Sequence, residues 1–346
     1  MDVTQNRAWL RAFGLRLMQS IPVVIGVVVI SFLLTRALPG DPAAYFAGGA
    51  ADPESIEEVR VSLGLDKPLI QQFFIYVADL LQGDLGQSLH SGQPVATDLA
   101  NRLPASLELT LSALLISCLI GIPLGILAAT RPGSLVDHLC RLLVSAGVSL
   151  PTFFTGIVLI YVFYFLLGIA PSPLGRLDFI YIAPPHVTGF YLIDAAIAGD
   201  WSTWWAALRQ LILPAVTLAL FTLAPLARMT RAAMLSSLSS DFIRTARAAG
   251  LDSRKILFGY AFRNALLPVV TTLGMVFSFT LGANVLVEKV FAWPGIGSYA
   301  VEALVVSDYA AVQGFVLAMA LLFVLLNLII DLLYTSIDPR IRFSSL

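Results

Sequence analysis

Six stretches of this sequence are free of Asp, Glu, Lys and Arg and long enough to cross a bilayer: Leu17–Thr35, Leu109–Thr130, Leu142–Gly175, Gln210–Ala227, Asn264–Val287 and Tyr309–Ile330. A hydrocarbon core takes roughly 20 helical residues, and a chain inside it must satisfy every backbone polar group internally. The expected fold class is therefore all-α: a polytopic membrane protein with six transmembrane helices. Composition agrees, since 58% of the 346 residues are hydrophobic and 12% are charged, too little polar surface to cover a water-soluble globule of this size. A net charge of -1 supplies no basic face for phosphate, so nucleic acid is not expected as a partner.

The third stretch is too long for one perpendicular helix and contains Pro151 and Pro171, so a helix over Val144–Leu167 with a non-helical tail is expected. The first follows Arg7, Arg11 and Arg16 and runs into Arg36-Ala-Leu-Pro-Gly-Asp, with no small-residue cleavage site. It reads as a signal anchor, not a removable signal peptide. Lys and Arg placement sets the orientation. With the amino terminus inside, the inner segments hold Arg7, Arg11, Arg16, Arg131, Arg141, Arg228, Arg231, Arg244, Arg247, Arg254, Lys255, Arg263, Arg340 and Arg342, fourteen of the twenty-one basic residues. Both termini are expected in the cytoplasm of a multi-pass inner-membrane protein.

The chain divides by this pattern into 1–35, an inner terminus with the first span; 36–103, an outer, periplasmic segment; and 104–338, a core of five spans. The outer segment carries helix punctuation. Asp52-Pro53-Glu54 opens a helix that Gly64 stops, and Asp66 and Pro68 open another that Gly83 ends, with Leu69, Phe73, Tyr76, Val77 and Leu80 as its apolar stripe. Trp201, Trp204 and Trp205 mark the outer interface ahead of the fourth span.

No catalytic or metal-binding constellation is evident. His90, His138 and His186 are far apart and read as solvated structural residues, and Cys118 and Cys140 as free buried thiols. Glu108, Glu288 and Asp331 occur only near span ends, where structural charges are cheap. A P-loop needs Gly-Lys followed by Ser or Thr; Lys67, Lys255 and Lys289 follow Asp66, Arg254 and Glu288, so no Walker A motif exists. Leu89-His-Ser-Gly-Gln93 and Gly295-Ile-Gly297 only echo nucleotide-binding motifs. The second is read as a tight turn joining the last two spans.

The basic segment from about 228 to 263 is patterned as helix, break, helix, with Gly250 at the break. Asp241-Phe-Ile-Arg-Thr-Ala-Arg-Ala-Ala-Gly250, then Arg263-Asn-Ala-Leu-Leu-Pro268, resembles the cytoplasmic coupling loop of bacterial ABC importer permeases of the dipeptide/oligopeptide/nickel branch. Pro39-Gly-Asp-Pro42, Leu63-Gly-Leu-Asp-Lys-Pro68, Gly83-Asp-Leu-Gly-Gln-Ser88, Arg228-Met-Thr-Arg231, Phe291-Ala-Trp-Pro-Gly-Ile-Gly297 and Asp308-Tyr309 with Val312-Gln-Gly314 extend the resemblance over nearly the whole chain. Thr188-Gly-Phe190 with Leu192-Ile-Asp194 is similar to dipeptide-type permeases in particular. The wider family has Glu-Ala-Ala where this chain has Arg244, Thr245 and Ala246, so no role of a glutamate carries over.

The resemblance implies the type I ABC importer fold with a small helical outer elaboration. Its ATPase-coupling residues would be Asp241, Arg244, Thr245, Ala246, Arg247, Ala248, Gly250, Leu251, Asn264 and Pro268. It implies a second homologous permease subunit, two ATPase subunits that bind ATP and Mg, and a periplasmic or lipid-anchored solute-binding protein; this chain would bind no cofactor itself. Dipeptides or short oligopeptides are the expected cargo, with nickel, glutathione or opines as alternatives. An ATP-independent secondary transporter is the different-class alternative, though buried ionisable groups and paired interrupted spans are not evident.

Overall fold

The computed structural model describes residues 3–37, 41–48, 51–62, 64–306 and 308–337. Pro39, Gly40, Leu63, Arg340 and Arg342, on which sequence expectations fall, lie outside the described residues, as does the side chain of Asp331. The chain begins with α1 (Val3–Ala37), α2 (Pro42–Ala47), α3 (Pro53–Ser62) and α4 (Leu69–Leu81). It continues through α5 (Val95–Thr130), α6 (Leu135–Ser149) and α7 (Thr152–Leu159), which runs on as a π-helix over Ile160–Leu166. A long connection leads to α8 (Tyr191–Ile197), α9 (Trp201–Leu238) and α10 (Asp241–Ala248). A second π-helix over Lys255–Ala261 opens α11 (Phe262–Val290), followed by α12 (Ile296–Val305) and α13 (Tyr309–Ile337).

Among the described residues four helical stretches are long and apolar enough to cross a membrane: Val95–Thr130, Trp201–Leu238, Lys255–Val290 and Tyr309–Ile330. The other two expected spans fall on α1 and on α7 with its π-helical continuation. The helices overrun the charge-free stretches. At about 1.5 Å per residue α5 and α9 each rise more than 50 Å, well beyond a hydrocarbon core of about 30 Å.

Two expectations are corrected. No single helix covers Val144–Leu167: α6 ends at Ser149, Leu150 is extended (φ -107°, ψ 136°), and α7 starts after Pro151. Proline lacks the N–H that would continue the ladder and pushes the preceding residue out of the helical region. The Gly295–Gly297 stretch is not a tight turn either. Gly295 is the extended N-cap of α12, and the backbone conformation that departs from the ordinary falls earlier, at Ala292 (φ +50°).

The chain forms two compact units, residues 1–103 with 295–328 and residues 104–294 with 329–346. In the first, α3 and α4 end as their glycines predict. Gly64 (φ +65°) donates to Val61 O and Leu65 to Arg60 O; Gly83 (φ +81°) donates to Leu80 O and Asp84 to Asp79 O. Each is a Schellman cap, which favours glycine because the left-handed conformation penalises a Cβ. The α4 stripe meets α1 at Phe32, whose ring lies 5.3 Å from Phe73 and 5.8 Å from Tyr76, and Arg36 Nε donates to Gln72 Oε1 at 2.9 Å. Asp308 joins two motifs of the same unit: it caps α13 through Ala311 N and accepts from Ser88 Oγ and His90 N. Leu89–Gln93 is a turn, closed by Ser88 N to Gln93 O and tied down by Ser91 Oγ to Asp98.

The second unit is built on α9. Gly125 of α5 lies so close that a Cβ there would come within 2.7 Å of Ala227 O and of Thr230 Cβ, and a Cβ on Gly147 of α6 within 2.6 Å of Leu220 O. Helices in an apolar solvent associate by such close approach, since hydrophobic burial offers little between them. Ser117 Oγ and Thr222 Oγ1 bond across the same α5–α9 contact. Cys140 is buried against it, whereas Cys118 is only partly buried, contrary to the expectation for that thiol.

Gly125→Ala should therefore cost about 1–3 kcal/mol through forced displacement of α9. Gly282→Ala, where a Cβ meets nothing within 4 Å, should gain about 0.5–1 kcal/mol from helix propensity. Thermal unfolding of the detergent-solubilised protein checks both; equal effects would show that the α5–α9 approach is not close.

Candidate functional site: a two-turn helix and the node beneath it

Helix α10 is amphipathic over two turns. Ile243 is fully buried and Ala246 is 8% exposed, while Asp241, Phe242, Arg244, Thr245, Arg247, Ala248, Ala249 and Gly250 are exposed. The buried pair sits on Ile126 and Ala129 of α5, Met234 of α9, and Ile256, Ala261 and Ala265 at the start of the fifth span. Ser237 Oγ donates to Ala261 O at 3.0 Å, tying the end of α9 to the opening of α11 under the short helix. Asp241 and Arg244 face each other at 3.4 Å in solvent, a pair worth little by itself.

The end of α10 is another Schellman cap. Gly250 (φ +73°) donates to Arg247 O and Leu251 to Ala246 O, and the Leu251 side chain packs on the cluster that holds Ala246. A Cβ at Gly250 meets nothing within 4 Å, so the cap needs glycine for its backbone conformation while the space around it stays open. Asp252 Oδ2 then accepts from Arg254 N, starting the π-helix. Of the expected coupling residues, Asp241, Arg244, Thr245, Arg247, Ala248 and Gly250 share the exposed surface. Ala246 and Leu251 face inward and anchor the helix. Asn264 is exposed but bonds Tyr260 O at 2.8 Å, and Pro268 lies inside α11, partly buried.

Beside this platform is a charged node that sequence reasoning did not single out. Arg231 of α9, three residues before Met234, binds Asp137 of α6 in bidentate fashion: Nε to Oδ1 at 2.6 Å and Nη2 to Oδ2 at 3.0 Å. Gly133 N donates to Asp137 Oδ2 at 2.9 Å, and Arg141 Nη2 approaches that oxygen at 3.4 Å. Asp137 is 1% exposed. The bonds from Arg231, then that from Gly133, hold its carboxyl down at about 2, so it is ionised at any physiological pH. The sequence signal was a single acid in the basic stretch between Arg131 and Arg141.

A second charged cluster lies at the other end of α9. Arg176 Nη2 donates to Glu108 Oε2 at 2.5 Å and to Gly189 O at 2.8 Å, with its guanidinium 3.5 Å from the Tyr191 ring centre. Leu192 N donates to Glu108 Oε1 at 2.9 Å. Nearby, Asp194 accepts from Val187 N, Thr188 N, Thr188 Oγ1 and Gly189 N. Burial by itself would raise the Asp194 carboxyl, but the bonds from Thr188, Gly189 and Val187 outweigh it and hold the group below its usual range. Gly189 (φ +80°) is pressed against Pro104, 2.7 Å from where a Cβ would sit. The Thr188–Asp194 motif is thus a self-closed loop. The expectation of cheap charges near solvent is corrected too: Glu108 is 5% exposed and Glu288 is fully buried, bonded to Ser106 Oγ. Each depends on partners inside the bundle instead of on water.

Arg176→Met should destabilise the protein by about 3–5 kcal/mol, because Glu108 stays buried without its charge partner. The double variant Glu108→Gln/Arg176→Met should recover part of that loss. Unfolding midpoints of the four proteins form the test; additive losses would mean that the pair is not coupled.

The comparisons with known proteins agree with this geometry. Residues 121–343 match the family model described as binding-protein-dependent transport system inner membrane component, and residues 10–110 match its N-terminal companion. The chain is 48% identical over 319 residues, 92% of its length and 94% of the relative's, to the probable D,D-dipeptide transport system permease protein DdpB of Escherichia coli K12. It is 43% identical over 323 residues to the di/tripeptide transport system permease protein DppB of Pseudomonas aeruginosa, covering 93% of this chain and 96% of that one. It is also 40% identical over 325 residues, with the same coverage, to the dipeptide transport system permease protein DppB of Escherichia coli K12. The chain is a multi-pass membrane protein that belongs to the inner membrane components of binding-protein-dependent transport systems, the ABC importer permeases of type I fold.

Proposed function

We propose that this chain forms half of the translocation pathway of an ATP-driven importer of dipeptides or short oligopeptides. The observation that carries the mechanism is α10: its inward face is anchored across α5, α9 and the start of α11, and its outward face presents arginines, small residues and an open Gly250. A helix held this way moves only with the bundle beneath it, so a partner that shifts α10 also shifts the ends of three spans.

In this reading α10 lies in the cytoplasm, as do both termini, and docks on one of two ATPase subunits that bind ATP and Mg and carry out the hydrolysis. A second homologous permease completes the pathway, and a solute-binding protein delivers the cargo from the outside. The chain itself binds no cofactor and catalyses no reaction. The peptide assignment rests on the dipeptide and di/tripeptide permeases that it resembles over more than nine-tenths of its length. The Thr188–Asp194 loop adds nothing to it, because its side chains are spent on one another.

Proteoliposomes holding the assembled complex should take up labelled dipeptide only when ATP is inside with the ATPase subunits. Uptake without ATP would overturn the importer mechanism; ATP-dependent uptake of nickel, glutathione or an opine in place of dipeptide would overturn the cargo. Gly250→Glu should reduce dipeptide uptake at least about tenfold, since it strains the cap and places a carboxylate on the docking face. Unchanged uptake by that variant would remove α10 from the coupling role.

A further inference from the structure

A displacement entering at α10 reaches the spans by different routes. It reaches α9 along the chain, because only Ser239 and Ser240 separate the two helices, and through Met234. It reaches α5 through Ile126 and Ala129. Among the described residues none of α6 belongs to the cluster under α10. The contact of α6 with α9 is otherwise apolar: Cys140 and Val144 pack near Leu223 and Ala227. Apolar surfaces hold helices together without fixing their register along the axis, because the attraction is non-directional.

Two features fix that register. Gly147 seats α6 against Leu220 O, and Asp137 grips Arg231 with two directed bonds. Asp137 and Gly147 are ten residues apart on α6, and Leu220 and Arg231 eleven apart on α9. At about 1.5 Å per residue the intervals come to about 15 Å and about 16.5 Å, within about one residue of each other, so the two antiparallel helices are pinned at matching points. The same carboxylate takes Gly133 N, which fixes the α5–α6 turn (Gly133 φ +77°) to the node. One side chain therefore joins α6, the α5–α6 turn and α9 within one turn of the helix surface that supports α10.

We propose that Asp137 is a positioning residue for transport: acting through Arg231 and Gly133, it makes α5, α6 and α9 follow α10 as one body. This rests on the coupling reading of α10. Without the node α9 still moves with α10, but α6 and the helix it leads into, α7, can lag behind, so ATP is hydrolysed with little cargo moved.

The test is the amount of dipeptide taken up per ATP hydrolysed by the full complex in proteoliposomes, for wild type, Asp137→Asn, Arg231→Lys and Gly250→Glu. Asp137→Asn should lower the ratio about tenfold, and Arg231→Lys, which keeps the charge but not the fork, should lower it less. A purely structural role would lower the yield or the unfolding temperature and leave uptake per ATP unchanged in the molecules that assemble. That result in both node variants, with Gly250→Glu uncoupled, would sink the proposal and spare the coupling reading. A wild-type ratio for Gly250→Glu would sink that reading instead, together with the proposal that depends on it. Should Asp137→Asn fail to assemble, the Arg231→Lys ratio decides alone: a fall supports the node, and no change overturns it.

Discussion

The second compact unit depends on how closely other helices approach the backbone of α9. Glycines at 121, 125 and 147 bring α5 and α6 to it with no intervening side chain. Because the helices are so near, Ser117 can reach Thr222 and Arg231 can reach Asp137, while Arg176 and Glu108 are enclosed beyond the reach of water. In an apolar solvent these directed contacts are the way a bundle obtains a unique register, since greasy surfaces slide on one another with little penalty.

The charged groups divide by what they do for the bundle. At the end of α9 away from α10, Arg176 pairs with Glu108 of α5 and with Gly189 O, Glu108 also accepts from Leu192 N, and Asp194 closes on the amides of Val187, Thr188 and Gly189. At the α10 end an ion pair joins α6 to α9, and a backbone amide of the α5–α6 turn bonds the same carboxylate. In the proposed mechanism a displacement of α10 passes to the spans through these links between elements.

Much of this was legible in the chain because its signals are local. Four of the six charge-free stretches lie within helices long and apolar enough to cross a membrane, since solvation in lipid is decided residue by residue. Asp52 and Pro53 marked the start of α3, and Gly64, Gly83 and Gly250 marked helix ends, because a left-handed cap needs glycine whatever surrounds it. The α10 surface was legible for the same reason: its residue types and its glycine sit within ten positions. Where local signals conflicted, reading failed. A helix over Val144–Leu167 carries Pro151 in its interior, and the chain breaks there instead, between α6 and α7.

What the sequence determined by itself was the solvent, the helical class, the places where helices stop, and the short amphipathic segment to which the docking proposal attaches. Only the tertiary structure decided which face of α10 turns inward, that Ala246 lies on that buried face, and that Asp137 and Arg231, ninety-four residues apart, share two bonds. The physical reason is range. Capping and transfer into lipid act over one or two turns of chain, whereas a salt bridge or a glycine contact between helices depends on rotation and register, which an all-apolar helix does not display along its length.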